Sequence, residues 1–80
     1  MSEIKVYTSE SCGPCQMVKA HLKRKNFTYI ERNISEDPDA LGELEKLGWR
    51  TTPVTLIGKN TVLGYKPKDL DSALSDLEDR

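Results

Sequence analysis

The sequence predicts an α/β fold in which three helices flank a four-stranded mixed sheet, and three observations lead to this fold class. Strand-like and helix-like patterns follow one another along the 80 residues in the order β-α-β-α-β-β-α. The first two strand patterns are separated by a helix pattern, so a right-handed crossover should make these strands parallel. The last two are separated only by the tight-turn sequence Gly58-Lys59-Asn60 and should form an antiparallel hairpin. We therefore expect a single domain over residues 1–80, with helices on both faces of the sheet.

The first half of the predicted fold begins with a strand over residues 3–7, where β-prone residues alternate with polar ones. A loop rich in Ser, Thr and Glu occupies residues 8–12. The pattern is helical over residues 13–25, and the basic residues of its last turn complement the helix dipole. His21 lies among these basic residues, so we expect it to be a solvated surface residue. One apolar stripe of this helix should face the core, formed by Cys15, Val18 and Leu22.

The second strand is predicted over residues 27–32, which are rich in aromatic and β-branched side chains. The segment Ser35-Glu36-Asp37-Pro38 then supplies a helix N-cap, acidic first-turn residues and a proline suited to helix entry. Gly48 is a plausible end of this second helix. The residues that should form its apolar stripe are Leu41, Leu44 and Leu47.

The remaining elements are a hairpin and a final helix. Residues 53–57 predict the third strand, and residues 61–63 predict the fourth, which returns beside it. Pro67 opens the last helix because proline is well accommodated in the first turn. The apolar stripe of this helix consists of Leu70, Ala73, Leu74 and Leu77.

Composition excludes several classes of function. The chain is 36% apolar and 31% charged, which is typical of a folded soluble domain rather than a disordered segment. Its formal net charge of −1 gives no electrostatic reason to expect nucleic acid or a membrane surface as a partner. The first residues lack the apolar core of a secretion signal, and no stretch approaches the roughly 20 apolar residues that span a bilayer. We therefore expect a cytoplasmic location.

The strongest functional motif is Cys12-Gly13-Pro14-Cys15, which contains both cysteines of the chain and lies between the first strand and the first helix. With two residues between them, the thiols can close or open a disulfide with little change of the backbone. In a reducing cytosol such a pair is more often catalytic or metal-binding than a permanent crosslink. The unpaired N–H groups and the positive dipole end of the following helix favour the thiolate form of the first cysteine.

The order of elements, with Cys-x-x-Cys opening the first helix, resembles the thioredoxin fold in its smallest, glutaredoxin-like form. Besides the cysteine motif and the residues Val6-Tyr7-Thr8 that lead to it, two stretches carry the resemblance: Thr51-Thr52-Pro53-Val54 before the third strand and Gly64-Tyr65-Lys66-Pro67 before the last helix. The second of these is similar to the NrdH-type redoxins. Those proteins resemble glutaredoxins, are reduced by thioredoxin reductase and pass electrons to ribonucleotide reductase. The resemblance implies a thiol–disulfide oxidoreductase that works without a cofactor.

The resemblance also implies different roles for the two cysteines. Cys12, at the exposed helix entrance, would attack a substrate disulfide and form a mixed disulfide. Cys15, further along and on the apolar stripe, would resolve that intermediate. Pro14 would restrict the loop at helix entry, and Gly13 would allow close approach of a partner chain.

Four further residues would bind the substrate if the resemblance holds. In this family the Thr52–Pro53 peptide bond is cis, which would place the backbone of Thr52 beside the cysteines, where it could hydrogen-bond an extended substrate segment. Gly64 and Tyr65 would contribute to the substrate groove.

The identity of the electron donor separates two interpretations. The Gly-Pro dipeptide between the cysteines resembles thioredoxin, whose potential of about −270 mV is more reducing than the roughly −200 to −230 mV of glutaredoxins. Glutathione-binding glutaredoxins carry acidic residues near the last helix, whereas this chain has Lys66 and Lys68 there. We therefore expect thioredoxin reductase as donor and ribonucleotide reductase as acceptor, with a glutathione-dependent glutaredoxin as the alternative.

A third interpretation is a metal-binding module. Structural zinc normally takes four Cys or His ligands, and this chain offers only Cys12, Cys15 and His21. A zinc site or a bridging iron–sulfur cluster would therefore need a second subunit, and we expect a monomer.

Overall fold

The computed structural model describes residues 4–78 and contains the predicted order of elements. The strands are β1 Ile4–Thr8, β2 Ile30–Asn33, β3 Val54–Ile57 and β4 Asn60–Leu63, and the helices are α1 Gly13–Arg24, α2 Pro38–Lys46 and α3 Pro67–Glu78. Residue 3, the predicted start of the first strand, lies outside the described residues. Over the described range, no helix combines the length and the hydropathy needed to cross a membrane.

The four strands form one mixed sheet, as expected, and their order in the sheet is β2-β1-β3-β4. β1 and β2 are parallel, whereas β3 is antiparallel to both β1 and β4. The register places Val54, the first residue of β3, beside both Tyr7 near the end of β1 and Leu63 at the end of β4. The loops that follow β1 and β4 and the loop that precedes β3 therefore meet at one end of the sheet.

Helices cover both faces of the sheet, which confirms the predicted architecture. On one face, α1 and α3 pack over alternate residues of the strands, in a cluster that comprises Ile4, Val6, Val18, Leu22, Ile57, Val62, Leu70, Ala73 and Leu74. On the other face, Leu44 of α2 packs over Tyr7 and Val54. Neighbouring positions on β1, such as Val6 and Tyr7, belong to different faces because side chains alternate along a strand.

The second strand begins at Ile30 rather than at residue 27. After α1, Asn26 adopts a left-handed conformation with φ 64°, which asparagine tolerates better than most residues. Phe27 then donates its N–H to the carbonyl of Leu22 at 3.0 Å and packs against the α1–α3 core. These contacts close the end of the helix, so the ladder with β1 starts only at the pair Lys5–Ile30. Propensity alone indicated a longer strand.

The predicted apolar stripe of α2 is only partly correct. Leu44 is fully buried, but Leu41 is 36% exposed and Leu47 is 45% exposed. The second core residue of this helix is Ala40, one turn before Leu44. The helix ends at Lys46, with Gly48 at φ 93° just beyond it, in agreement with the predicted end. Only a narrow stripe is buried because a single short helix covers this face of the sheet.

His21 is not the solvated residue that its basic neighbours suggested. It is 5% exposed, and its Nε2 lies 2.8 Å from Oδ1 of Asp71 on α3. Its ring also makes an edge contact with the ring of Tyr65, with centroids 6.0 Å apart. The contact with His21 lowers the pKa of the Asp71 carboxyl. The prediction failed because α3 packs against α1 and covers a position that the helix pattern alone leaves open.

The burial pattern of α2 leads to a first prediction. Leu44→Ala should lower the free energy of unfolding by about 2–5 kcal/mol, because it leaves a cavity between α2 and the sheet. Leu47→Ala, at an exposed position just beyond the same helix, should cost at most about 1 kcal/mol. Urea unfolding followed by circular dichroism measures both values, and equal losses in the two variants would contradict the assignment of Leu44 to the core.

A second prediction concerns Glu43, which joins α2 to two strands. Arg32 binds its carboxylate through two nitrogens, at 2.6 and 3.1 Å, and the Tyr7 hydroxyl donates to it at 3.1 Å. The hydrogen bonds from Arg32, followed by that from Tyr7, lower the pKa of Glu43. A carboxyl whose pKa is lower in the folded state stabilises the fold above its unfolded pKa, about 4.3, and loses this effect as pH falls.

The melting temperature of Glu43→Gln should therefore lie below that of the parent at pH 7, and the difference should close as the pH falls to about 3. Glu36→Gln, at an exposed position before the same helix, is the matched control and should follow the parent throughout. A difference of the same size at both pH values would show that the charge of Glu43 is not what stabilises this contact.

Candidate active site

The cysteine motif forms the first turn of α1. Cys12 is the N-cap residue and has extended backbone, while Gly13 and Pro14 are the first residues of the helix. The backbone N–H of Cys15 donates to Sγ of Cys12 at 3.1 Å. A sulfur atom thus takes the place of the side-chain oxygen that usually caps a helix, and the positive end of the helix dipole points at it.

The two cysteines form a disulfide and differ in their access to solvent. Their Cα atoms are 5.3 Å apart. Cys15 is 1% exposed, whereas Cys12 has intermediate exposure and its neighbours Gly13 and Pro14 are exposed. A molecule that approaches the motif from solvent therefore reaches the sulfur of Cys12 first.

The loop before β3 lies beside the Cys12 sulfur. The Thr52–Pro53 peptide bond is cis, as the resemblance implied. The Thr52 hydroxyl lies 3.8 Å from Sγ of Cys12 and 2.7 Å from the hydroxyl of Ser9. Pro53 is buried, and its carbonyl accepts the N–H of Gly64 at 2.9 Å. The loop after β1, the loop before β3 and the loop after β4 are therefore connected by hydrogen bonds around the motif.

The structure thus brings most of the predicted site residues together. Cys12, Cys15, Gly13 and Pro14 share one helical turn, and the Thr52 hydroxyl contacts the Cys12 sulfur. The Gly64 N–H is hydrogen-bonded to the carbonyl of Pro53, the residue after Thr52. The Tyr65 ring packs against the α1–α3 core and against His21.

A polar contact that joins β1, β2 and α1 was not predicted from the sequence. Thr8, the last residue of β1, is 2% exposed and donates its hydroxyl to Glu31 at 2.8 Å, and Lys19 of α1 donates to the same carboxylate oxygen at 3.1 Å. Burial raises the pKa of Glu31, but the hydrogen bonds from Thr8 and Lys19 outweigh it, and the net effect lowers that pKa. The contact joins the second turn of α1 to the end of β1 and to the second residue of β2. A glutamate in a strand pattern gave no sign of these partners.

Ser9 was also missed. It lies in the loop between β1 and the motif, and no sequence pattern distinguishes it from Ser11, two residues later. Its contact with Thr52 joins residues 43 positions apart in the sequence and depends on the pairing of β1 with β3.

Comparison with known proteins agrees with this geometry. The family model described as Glutaredoxin matches residues 4–62. The chain belongs to the glutaredoxin family. It is 30% identical, over 84% of its length and 93% of the relative, to the glutaredoxin-like protein NrdH of Lactococcus lactis.

Solved structures give the same result. The NrdH-redoxin of Escherichia coli superposes with a TM-score of 0.78 at 26% identity, over 86% of this chain and 91% of that one. The thioredoxin-like protein BC3987 superposes with a TM-score of 0.81 at 32% identity, over 88% of this chain and 97% of the other. With its Cys12–Cys15 disulfide, this glutaredoxin-family chain is a thiol–disulfide oxidoreductase of the NrdH-like type.

The unequal exposure of the two sulfurs leads to a third prediction. When the reduced protein meets less than one equivalent of iodoacetamide near neutral pH, the modification should fall on Cys12, because Cys15 is 1% exposed. Peptide mapping by mass spectrometry locates the adduct. Unfolding the reduced protein in guanidinium first should remove the preference, and modification mainly at Cys15 in the folded protein would contradict it.

Proposed function

We propose that this protein is a dithiol redoxin that reduces protein disulfides, with Cys12 as the nucleophile and Cys15 as the resolving thiol. The observation that carries the proposal is the position of Cys12: its sulfur caps α1, accepts the N–H of Cys15 and is the accessible member of the pair. Backbone N–H donors and the helix dipole stabilise a thiolate, which is the form that attacks disulfides.

The reaction consists of two exchanges. The Cys12 thiolate attacks one sulfur of the substrate disulfide, and the other substrate sulfur leaves as a thiolate. Cys15 then loses its proton and attacks Sγ of Cys12, which closes the Cys12–Cys15 disulfide and releases the second substrate thiolate. Two electrons pass from the redoxin to the substrate, and both substrate thiolates become thiols by taking up protons.

The substrate would bind along the loops that meet at the motif. In this proposal the backbone of Thr52, held beside Cys12 by the buried Pro53, pairs with an extended segment of the substrate. Gly64, which is hydrogen-bonded to Pro53, and Tyr65 border that segment. Gly13 and Pro14 are exposed next to the sulfur and leave room for the partner chain.

We further propose thioredoxin reductase as the electron donor and ribonucleotide reductase as an electron acceptor. The similarity to NrdH proteins supports this assignment, and the E. coli NrdH-redoxin is described as having a thioredoxin-like activity profile. Lys66 and Lys68, both exposed at the start of α3, would repel the ammonium group of glutathione. The monomeric state and the cytoplasmic location remain predictions from the sequence.

Two other functions have less support. A glutathione-dependent glutaredoxin is the main alternative, because the family model that matches the chain is that of glutaredoxin. In the metal-binding interpretation, His21 would be the third ligand of the chain, but its Nε2 is already hydrogen-bonded to Asp71 of α3. Within residues 4–78, no group of three or more potential ligands lies close enough to hold a metal ion.

A coupled assay tests the proposal and gives a fourth prediction. The protein is supplied with insulin as a disulfide substrate and with either thioredoxin reductase or glutathione plus glutathione reductase, and NADPH oxidation is followed. We expect turnover with thioredoxin reductase and little with glutathione. Rapid turnover only with glutathione would replace the proposed donor by the alternative.

The Cys15→Ser and Cys12→Ser variants are the matched pair for this assay. Both should abolish turnover, but only Cys15→Ser, which keeps the nucleophile, should accumulate a mixed disulfide with the substrate that is visible on a non-reducing gel. Accumulation in Cys12→Ser instead would reverse the roles of the two cysteines.

A further inference from the structure

A pair of hydroxyl groups lies next to the Cys12 sulfur. Ser9 Oγ and Thr52 Oγ1 are 2.7 Å apart, and Thr52 Oγ1 is 3.8 Å from Sγ of Cys12 in the disulfide form. Both residues are of intermediate exposure, so the pair is partly shielded from competing water. Among the described residues, Ser9 contacts Thr52, and Thr52 in turn contacts the Cys12 sulfur.

The direction of the hydrogen bond between Ser9 and Thr52 determines whether Thr52 can also donate to the Cys12 sulfur. Each hydroxyl has one proton to donate, and one proton must lie in the bond between Ser9 and Thr52. If Thr52 donates to Ser9, its proton is not available to the sulfur. If Ser9 donates to Thr52, the Thr52 proton is free to point at Cys12. A thiolate can only accept hydrogen bonds, so ionisation of Cys12 favours the second arrangement.

We propose that Ser9 is a positioning residue that directs the Thr52 hydroxyl at the Cys12 sulfur, and that Thr52 thereby stabilises the attacking thiolate. The inference rests on the proposed role of Cys12 as nucleophile. In the reduced protein the Cys12 sulfur then receives two hydrogen bonds, one from the Cys15 N–H and one from the Thr52 hydroxyl. Thr52 acts through its side chain here, in addition to the backbone role proposed for substrate binding.

A purely structural role for the pair makes different predictions. The Ser9–Thr52 bond joins the loop after β1 to the loop before β3, so its loss could simply loosen the two loops. In that case the variants would lower stability, but the pH dependence of thiol reactivity would not change. The pH profile therefore separates the two roles.

The test is the rate at which iodoacetamide alkylates the reduced protein between pH 5 and pH 10. At pH 6, Thr52→Val should react about tenfold more slowly than the parent and Ser9→Ala about threefold more slowly, because each loses part of a hydrogen bond to a charged sulfur. The double variant should be no slower than Thr52→Val, since Ser9 acts only through Thr52. At pH 10, well above the pKa of about 8.5 of an ordinary cysteine thiol, all rates should approach that of the parent.

Conservative and matched variants complete the experiment. Thr52→Ser keeps the hydroxyl and should retain most of the parent rate at pH 6. Thr51→Val, at the exposed neighbouring threonine, and Ser75→Ala, on an exposed position of α3, should match the parent at every pH.

Three results would overturn the inference. They are a pH profile of Ser9→Ala identical to that of the parent, a double variant whose loss is the product of the two single losses, and a Thr52→Ser variant as slow as Thr52→Val. Peptide mapping of the alkylated parent separates failure of this inference from failure of the proposed function. Alkylation at Cys15 at low pH would refute the role of Cys12 as nucleophile. Alkylation at Cys12, with variants that react like the parent, would refute only the role of Ser9 and Thr52.

Discussion

The hydrogen bond from the Cys15 N–H to the Cys12 sulfur joins the chemistry of this protein to its secondary structure. The first N–H groups of any helix lack partners within the helix and must be satisfied by a cap. Here the cap is a sulfur atom, at 3.1 Å, so the group that satisfies the helix is also the proposed nucleophile. The same helix then carries Cys15 into the core, where it is 1% exposed. One turn of helix thus gives two chemically identical side chains different environments, and this difference is the basis of the proposed order of exchange.

The sheet brings the partners of this helical turn to the same place. Because β3 runs antiparallel to both of its neighbours, its first residue lies beside the ends of β1 and β4. The loop that carries the cysteines, the loop with the cis proline and the loop with Gly64 are therefore neighbours in space although they are distant in sequence. Two hydrogen bonds complete the arrangement: one between the hydroxyls of Ser9 and Thr52, and one from the Gly64 N–H to the Pro53 carbonyl. The site is accessible to solvent at Cys12, Gly13 and Pro14.

The sequence predictions succeeded for features set by neighbouring residues and failed for features set by contacts between distant segments. The order of elements, the mixed sheet, the apolar stripe of α1 and the end of α2 at Gly48 are confirmed, since each depends on local pattern or on strong turn residues. The predicted start of β2 and the predicted solvation of His21 were wrong, and the predicted buried stripe of α2 was only partly correct. Each of these depends on which neighbour a residue meets, such as Leu22 for Phe27 or Asp71 for His21.

The fold class and the cysteine motif could be predicted from the sequence, because strand and helix periodicity and two cysteines separated by a glycine and a proline are properties of adjacent residues. It also indicated the cis proline, through resemblance to a family rather than through local preference. Which side chains lie next to the Cys12 sulfur depends instead on contacts between distant segments. Ser9 and Thr52 meet there because β1 and β3 pair in one particular register, and a register is a property of two distant segments that neither segment specifies alone.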